Sequence, residues 1–555
     1  MAMISLHAFL RQVLPIGIAM AMTIGSLSAH EVQGPSPSAG LGALVFPTSA
    51  NSHEAQAQFE RAALLLHLFE YEDAAAAFIK AQSLEPDFVM AVWGEAMTHN
   101  HPLWNQLDEE AGRKALRKLG EAPAERAKKA KTAREKDYLS AVEILYSGSG
   151  NKVERDARYD KAMQAMATKY PDDDQAQLFH ALALEGRSEG VRNVPDYLQA
   201  AAIAERMFRR NPQNPGAAHY WIHGMDDPEH AAGAIEAARA LSKIAPDAGH
   251  AQHMTSHIFI ALGLWDDLIQ ANEEAVRVVY AHARERGKPE VHCFHYNEWL
   301  LYGYFQQGRR REANALLLSC KRTGDAGLKA TGGKEAATLA DRFHDSLPTM
   351  RATTVIESGD WNGAAVQLAA DHHDGDYSNA VAVFASGYAA AQRDDFAQAT
   401  ESLQALSRIV DATSPDGEAM QLLDYLTILR DDLDGAIAFR RGDVDAAIQR
   451  VGRAATRMDM LAFDFGPPVT IKPPRELLGE ILLASGKPDD AAEEFRKSLK
   501  AAPNRALSLL GLARAEDALK DHAAAASTYA KLLKIWHRAD NDLPAMQEAR
   551  QYMAR

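Results

Sequence analysis

The chain reads as an all-α protein built of stacked helical hairpins, and three observations point there. Hydrophobic residues make up 47% of its 555 residues but aromatics only 7%. Alanine supplies much of that apolar share, in runs such as "EDAAAAFIKAQ" and "DHAAAASTYAKLL". This is the composition of closely packed small-residue helices and not of a β protein. Second, polar turns recur behind apolar helical stretches, near Gly308, Gly359, Asp394, Gly442, Gly486 and Lys520. Third, histidines repeat with helical phase. His250, His253 and His257 stand at i, i+3 and i+7, and His219 and His223 at i and i+4. Each set therefore lies on one stripe of a helix.

The repeat is clearest around residue 486. There Gly479, Gly486, Ala491, Phe495, Ser498 and Pro503 place a small residue in a first helix, then a turn. An alanine and an aromatic follow in a second helix, and a proline closes it. Tyr71, Ala74, Phe78, Ala81 and Pro86 match the second half of the same pattern, and Ala364, Ala399, Ala447 and Ala525 mark further copies. This arrangement resembles the tetratricopeptide repeat over most of residues 54–540. A single hairpin cannot bury its own apolar face, so the resemblance implies a right-handed superhelical solenoid of stacked helix-turn-helix units. The first helix of each unit is then expected to line a concave groove, where members of the family hold peptides or partner proteins.

Along the chain, residues 1–29 read as a secretory signal. Arg11 supplies the positive start, "VLPIGIAMAMTIGSL" an apolar stretch short for a bilayer, and Ala29 a cleavage site. The reading is a Sec-type signal of a bacterial protein, and cleavage would leave His30 first, where amine and imidazole together can chelate copper. Residues 30–53 are expected to be a flexible arm. Residues 54–322 form the first half of the solenoid, with a charged helical insertion at about 105–165. A loop or hinge follows at 323–337, then further repeats at 338–462, a Pro/Gly connector at 463–474 and the last repeats at 475–555. The expected destination is the periplasm or the exterior, soluble once the signal is removed and membrane-associated only if it is kept. An oxidising compartment permits Cys293 and Cys320 to pair, though nothing in the sequence brings them together. A net charge of −15 with no basic stripe excludes nucleic acid as an expected partner.

The family register gives the histidines a direction. Positions 2, 5, 9, 12 and 13 of the first helix face the groove. Counting from Pro212 puts His219 and His223 at 5 and 9, and counting from Pro246 puts His250, His253 and His257 at 2, 5 and 9. Counting back from Gly308 puts His295, Glu298 and Tyr302 at 2, 5 and 9. Six imidazoles on one concave surface suit a transition metal, with Cu, Zn and Fe all open. Glu298 or Glu95 is the candidate general base and Tyr302 a candidate partner for an oxyanion, though Glu298 also reads as a surface charge and Tyr302 more readily as a packing ring. Glu95, His99 and His101 form a secondary metal or groove set of uncertain register. His230 and His282 are expected to face away. "DHHDGD" at 371–376 lacks the calcium-loop pattern and reads as a solvated turn.

No phosphate-binding loop, nucleophile elbow, dinucleotide fingerprint or zincin motif occurs. Two expectations remain side by side. One is an exported metalloprotein, a metal-dependent hydrolase or oxidoreductase on a peptide-like substrate if it is an enzyme. The other is a non-catalytic scaffold for peptides or partner proteins in the cell envelope, and metal storage is a lesser third.

Overall fold

The computed structural model describes residues 39–188, 190–369, 377–414 and 419–555. The signal, His30, the arm as far as 38 and the 371–376 turn lie outside the described residues. Nearly everything described is helix. The one sheet among these residues is an antiparallel ribbon of Asn100–His101 against Gln106–Leu107. No described helix is long and apolar enough to cross a membrane.

The hairpins owe their turns to a repeated backbone device. Phe69, Gly263, Gly308, Gly359, Asp394, Gly442, Gly486 and Lys520 all close a first helix with positive φ. At Gly486 the Lys487 amide reaches the Leu482 carbonyl and the Gly486 amide reaches Leu483, which satisfies the last carbonyls of the helix. Helix-to-helix fit depends on missing side chains. A Cβ on Gly94 would sit 2.2 Å from the Phe78 ring, and the Phe495 ring fills the same role between Gly479 and Gly511. The aromatic of one hairpin thus lies flush on the backbone of the next.

The chain divides into two compact units. The first comprises, of the described residues, 39–226 and 233–255; the second comprises 227–232 and 256–555. In the first unit, His53–His67 and Tyr71–Leu84 form the opening hairpin. Ala133–Ser147 with Lys152–Lys169, and Asp174–Gly186 with Val194–Arg210, form later ones, ahead of Pro215–Met225. The charged segment 105–165 differs in part from an insertion, since its second half belongs to the regular hairpins. It holds two short helices, Glu109–Arg117 and Pro123–Lys129, and then joins the regular hairpin at Ala133. The arm differs too, because residues 39–52 are packed against the unit. Phe46 is fully buried, with Phe59, Trp93, Tyr138 and Phe179 around it at 5.0–6.5 Å. Its glycines and prolines keep it from helix, and its apolar side chains anchor it.

The second unit runs from Trp265–Glu285 through His295–Gln306 and Arg310–Ala330 to the last hairpin, Ala506–Ala518 with His522–Ile535. The loop expected at 323–337 is mostly helix. Arg310–Ala330 continues through its glycines, and Gly333–Ser358 begins after a break of two residues. Gly324 and Gly327 are tolerated there because Phe343, Val291 and Leu339 occupy the space their side chains would take. Cys293 and Cys320 form a disulfide that ties the approach to His295–Gln306 onto Arg310–Ala330. The first hairpins of this unit also meet its last. The Trp265 indole donates to the Asn504 carbonyl, Gln306 accepts from the Ala506 amide, and the Trp536 indole donates to Gln306.

Candidate functional site

In the first unit, three imidazoles converge. His219, His223 and His250 each offer one donor atom, and these atoms lie within 4.8 Å of one another. His219 and His223 come from one face of Pro215–Met225 and are buried, and His250 stands in the first turn of Gly249–Leu262. The start of that second helix is fixed by Glu70, whose carboxylate accepts from the His250 amide at 3.0 Å. A carboxylate at a helix start also suits the local dipole.

Two of the three donors are backed by the protein. Nδ1 of His219 is 2.7 Å from the backbone carbonyl of His67. A carbonyl can only accept, so Nδ1 carries the proton and Nε2 carries the lone pair. Nδ1 of His223 lies 3.7 Å from the Asp226 carboxylate, which Arg192 holds at 2.5 Å while also donating to the His223 carbonyl at 3.0 Å. Arg192 itself lies over the Tyr197 ring at 4.6 Å. Partners of this kind orient ligating imidazoles and raise their basicity.

Aromatic rings wall the cluster. The Phe69 ring lies 4.4 Å from His219, 5.8 Å from His223 and 5.6 Å from His250, measured between centroids. Beyond it stand Tyr71, His101 and Trp104, the last 6.4 Å from His250. Behind the cluster, the buried His67 ring bonds Tyr220 through Nδ1 and Gln175 through Nε2, both at 2.8 Å. Gln175 offers its carbonyl oxygen, so Nε2–H donates and Nδ1 accepts from the tyrosine. Burial pushes the pKa of His67 down to about 4, against the Gln175 hydrogen bond, so the ring is neutral.

The other sequence candidates take several places. His253 shares its helix with His250, ring centroids 6.3 Å apart, but joins no convergent group of three among the described residues. His101 is buried beside Tyr71, with Nε2 on the Thr98 carbonyl at 2.9 Å, and burial lowers its pKa to about 4. Glu95 instead forms an ion pair with Lys118 at 2.5 Å and accepts from Gln82 at 2.6 Å. His99 is pushed down by burial, against the pull of Asp108 and Glu95.

His257, His295, Glu298 and Tyr302 belong to the second unit. There His257 stacks on Trp299 at 4.7 Å and lies 4.7 Å from Phe465. Burial and the neighbouring His257 lower the pKa of His295 to about 3. Glu298 accepts from the Ser346 hydroxyl at 2.5 Å, and burial raises its pKa to about 7 against that hydrogen bond. Neither His295 nor Glu298 joins a convergent donor group among the described residues. Tyr302 is buried, and its hydroxyl accepts from Arg505 at 2.9 Å. His230 pairs with Asp227 in a local turn, and His282 lies half-buried near the end of its helix.

Sequence reasoning missed His67, Phe69, Tyr71, Arg192 and Asp226. One of them was within reach. The count that put His295 at position 2 ahead of Gly308 puts His67 at groove position 13 ahead of Phe69. The obstacle was the turn itself, where phenylalanine stands in place of the usual glycine.

No family model matches the sequence, and no curated protein matches it. Among solved structures, the human IFIT1 dimer with PPP-AAAA shares 11% identity over 88% of this chain and 92% of that one, at a TM-score of 0.37. The Cut9–Hcn1 hetero-tetramer of the APC/C shares 12% over 90% and 76%, at 0.34. Yeast Tom70 shares 10% over 91% and 89%, at 0.26. The recurring hairpins, their left-handed turn residues and the aromatic-on-glycine contacts between neighbours make this chain an all-α protein of repeated helical hairpins.

Proposed function

We propose that the first unit holds one transition-metal ion on His219, His223 and His250. The observation that carries this reading is the convergence of three imidazole donors within 4.8 Å, one with its tautomer set by the His67 carbonyl. Folding alone does not call for it. Three histidines in an aromatic surround suit Zn, Cu or Fe and leave coordination positions open. An open position can take water, dioxygen or a substrate group, so the site is suited to hydrolysis or oxidation. We place the protein outside the cytoplasm. The N-terminal sequence and the Cys293–Cys320 disulfide support an oxidising compartment.

Metal analysis of the full chain, purified without a histidine tag, tests the reading. After loading and desalting, one equivalent of ion is expected in the wild type and a small fraction of that in His219→Ala/His223→Ala. Less than about 0.1 equivalent of every transition metal in the wild type would remove the proposal. A protein-binding scaffold is the second reading, favoured by the helical-hairpin architecture. It predicts partner capture that survives the double substitution.

A further inference from the structure

Residues 39–52 run across one face of the first unit, and residues 42–50 form neither helix nor strand. Only Leu41 and Phe46 of this segment are buried, and Val45 beside Phe46 is 73% exposed. Phe46 meets one ring from each of four helices. These are Phe59 of His53–His67 at 5.0 Å, Trp93 of Val89–Met97 at 5.8 Å, Tyr138 of Ala133–Ser147 at 5.4 Å and Phe179 of Asp174–Gly186 at 6.5 Å. The four are first helices of successive hairpins, and second helices such as Tyr71–Leu84 and Lys152–Lys169 intervene between them in the chain. Alternate helices can offer their rings to one side chain only on the face they share. The segment therefore lies in the groove that the first helices of this unit line.

The groove grips this segment chiefly by its backbone. Gln56 donates to the Phe46 carbonyl at 2.9 Å, Gln175 to the Val45 carbonyl at 3.2 Å and Arg134 to the Pro47 carbonyl at 2.7 Å. Glu135 accepts from the Ser49 amide at 2.6 Å. Further along, the Ala43 amide reaches the Gln213 carbonyl at 2.8 Å, and the Asp247 amide reaches the Gly40 carbonyl at 3.1 Å. A non-helical main chain held by side chains, with spaced apolar anchors, is how a groove holds a peptide. Backbone contacts of this kind place little demand on sequence, and the anchors supply the selectivity. An element serving the core alone would bury a face of its own, whereas this one leaves Val45 and Pro47 to water. With two buried side chains it also comes away at less cost than the hairpins that hold it.

We infer that the groove of the first unit is a docking site for an uncharged, non-helical segment of a partner protein, and that residues 39–52 fill it as a built-in competitor. The partner's segment carries apolar anchors where this one has Leu41 and Phe46, and it binds by displacing the arm. The uncharged chemistry follows from the occupant, since residues 39–52 hold no charged side chain. Arg134 and Glu135, the charged groups of the groove that reach the segment, meet main-chain atoms and not side-chain charges. The inference rests on the scaffold reading above and is independent of metal.

The test uses the full chain and a fluorescent synthetic peptide of residues 39–52, followed by anisotropy. Tethering gives the arm an effective concentration on the order of 1 mM, so the wild type should bind the peptide poorly. The variant Gly42→Val/Phe46→Ala removes one anchor. It also puts a side chain where the Gln213 carbonyl and Ile244 leave no room, at a residue whose φ is +88°. All groove walls stay intact. This variant should keep its helical circular dichroism and bind the peptide at least about 100-fold more tightly than the wild type. A peptide carrying Phe46→Ala should bind it about 30-fold more weakly or worse. A folded variant that binds no peptide overturns the inference, whereas the scaffold reading falls only if the wild type captures no partner. Equal binding to both chains, or to both peptides, overturns it too. Loss of the helical signal makes the arm part of the core and overturns it as well. Hydrogen exchange on the wild type gives a check that needs no variant. The Ala43 and Ser49 amides should exchange faster than the amides of Asp174–Gly186. Equal protection would mean that the arm leaves only when the unit unfolds, and the inference would be lost.

Discussion

Nδ1 of His219 donates to the backbone carbonyl of His67 at 2.7 Å, and that single contact decides which nitrogen of His219 meets a ligand. The carbonyl belongs to the last residue of His53–His67, where helix carbonyls are left without amide partners. An acceptor at a helix end thus sets the tautomer of a candidate ligand. His219→Ala should lower Zn(II) or Co(II) affinity by at least about 100-fold. Asp226→Asn, which weakens the support of His223 without touching a donor atom, should lower it by about 10–100-fold. Competition against a chromogenic chelator reads both. Equal affinity in Asp226→Asn and wild type would show that the carboxylate serves Arg192 alone.

Phe69 occupies a turn where φ is +57°, a conformation that costs a non-glycine residue roughly 1 kcal/mol. Asp394 and Lys520 share that conformation at polar turns, but Phe69 places a large ring against three histidines. Phe69→Gly relieves the backbone and removes the wall. The loss of a buried ring outweighs the relief, so Phe69→Gly should destabilise the protein by about 2–3 kcal/mol, and Phe69→Ala by about 1 kcal/mol more. Urea melts of the two variants check the order. Phe69→Ala as stable as Phe69→Gly would show that the turn carries no strain.

The architecture was legible because hairpin repeats write themselves in local pattern. Small residues recur at fixed offsets, and a turn residue follows each first helix. What the pattern could not carry was side-chain destination. Glu95 and His99 share a helix face in sequence, yet Lys118, brought in by the following helix, takes the carboxylate. His250 and His253 are neighbours on one stripe, and only the first converges with His219 and His223. The stripe names a face; the packing of neighbouring hairpins chooses the rotamers. The loop expected at 323–337 failed for a related reason. The glycines there sit inside a helix, because Phe343 and Leu339 from the next helix need their bare backbone.

Glu298 gives a pH signature for the second unit. Its carboxyl has a native pKa of about 7 against an ordinary 4.5, because burial disfavours the charge more than Ser346 supports it. The native state therefore holds this proton more tightly than the unfolded chain. No penalty exists below about pH 4, and a penalty accumulates as pH rises to 7, then stays constant. Glu298 is only partly buried, so roughly 2 kcal/mol is the expected scale. Glu298→Gln should thus stabilise the protein at pH 8 and leave it unchanged at pH 4. Chemical denaturation at the two values measures the difference. A Glu298→Gln effect that does not vary with pH would place the titration elsewhere.

Arg505 is the hub on which the closure of the second unit rests. It is fully buried, donates to both oxygens of Glu476 at 2.8 and 2.9 Å and to the Tyr302 hydroxyl at 2.9 Å, and forms an ion pair with Glu357 at 2.7 Å. Lys472 adds a second buried cation, 2.9 Å from Glu476. Burial opposes ionisation of Glu476, but Arg505 and Lys472 outweigh it and hold the pKa down to about 2. Near neutral pH the carboxylate is therefore charged, and its charge is tolerable only while the cations stay. Removing the guanidinium leaves Glu476 buried with Lys472 and the Ser508 hydroxyl, and Glu357 buried with the Gln306 amide. Arg505→Met should cost about 3–5 kcal/mol by urea denaturation at pH 7. Arg505→Met/Glu476→Leu, which takes out the pair together, should recover more than half of that loss, because the desolvation of both charges goes with them. A double variant no better than the single would mean that the pair contributes through shape and not through charge. In either variant the contact of Gln306 with the Ala506 amide should loosen, since Arg505 is the residue that precedes it. Hydrogen exchange at Ala506 then reports whether the hub holds the first and last hairpins of this unit together.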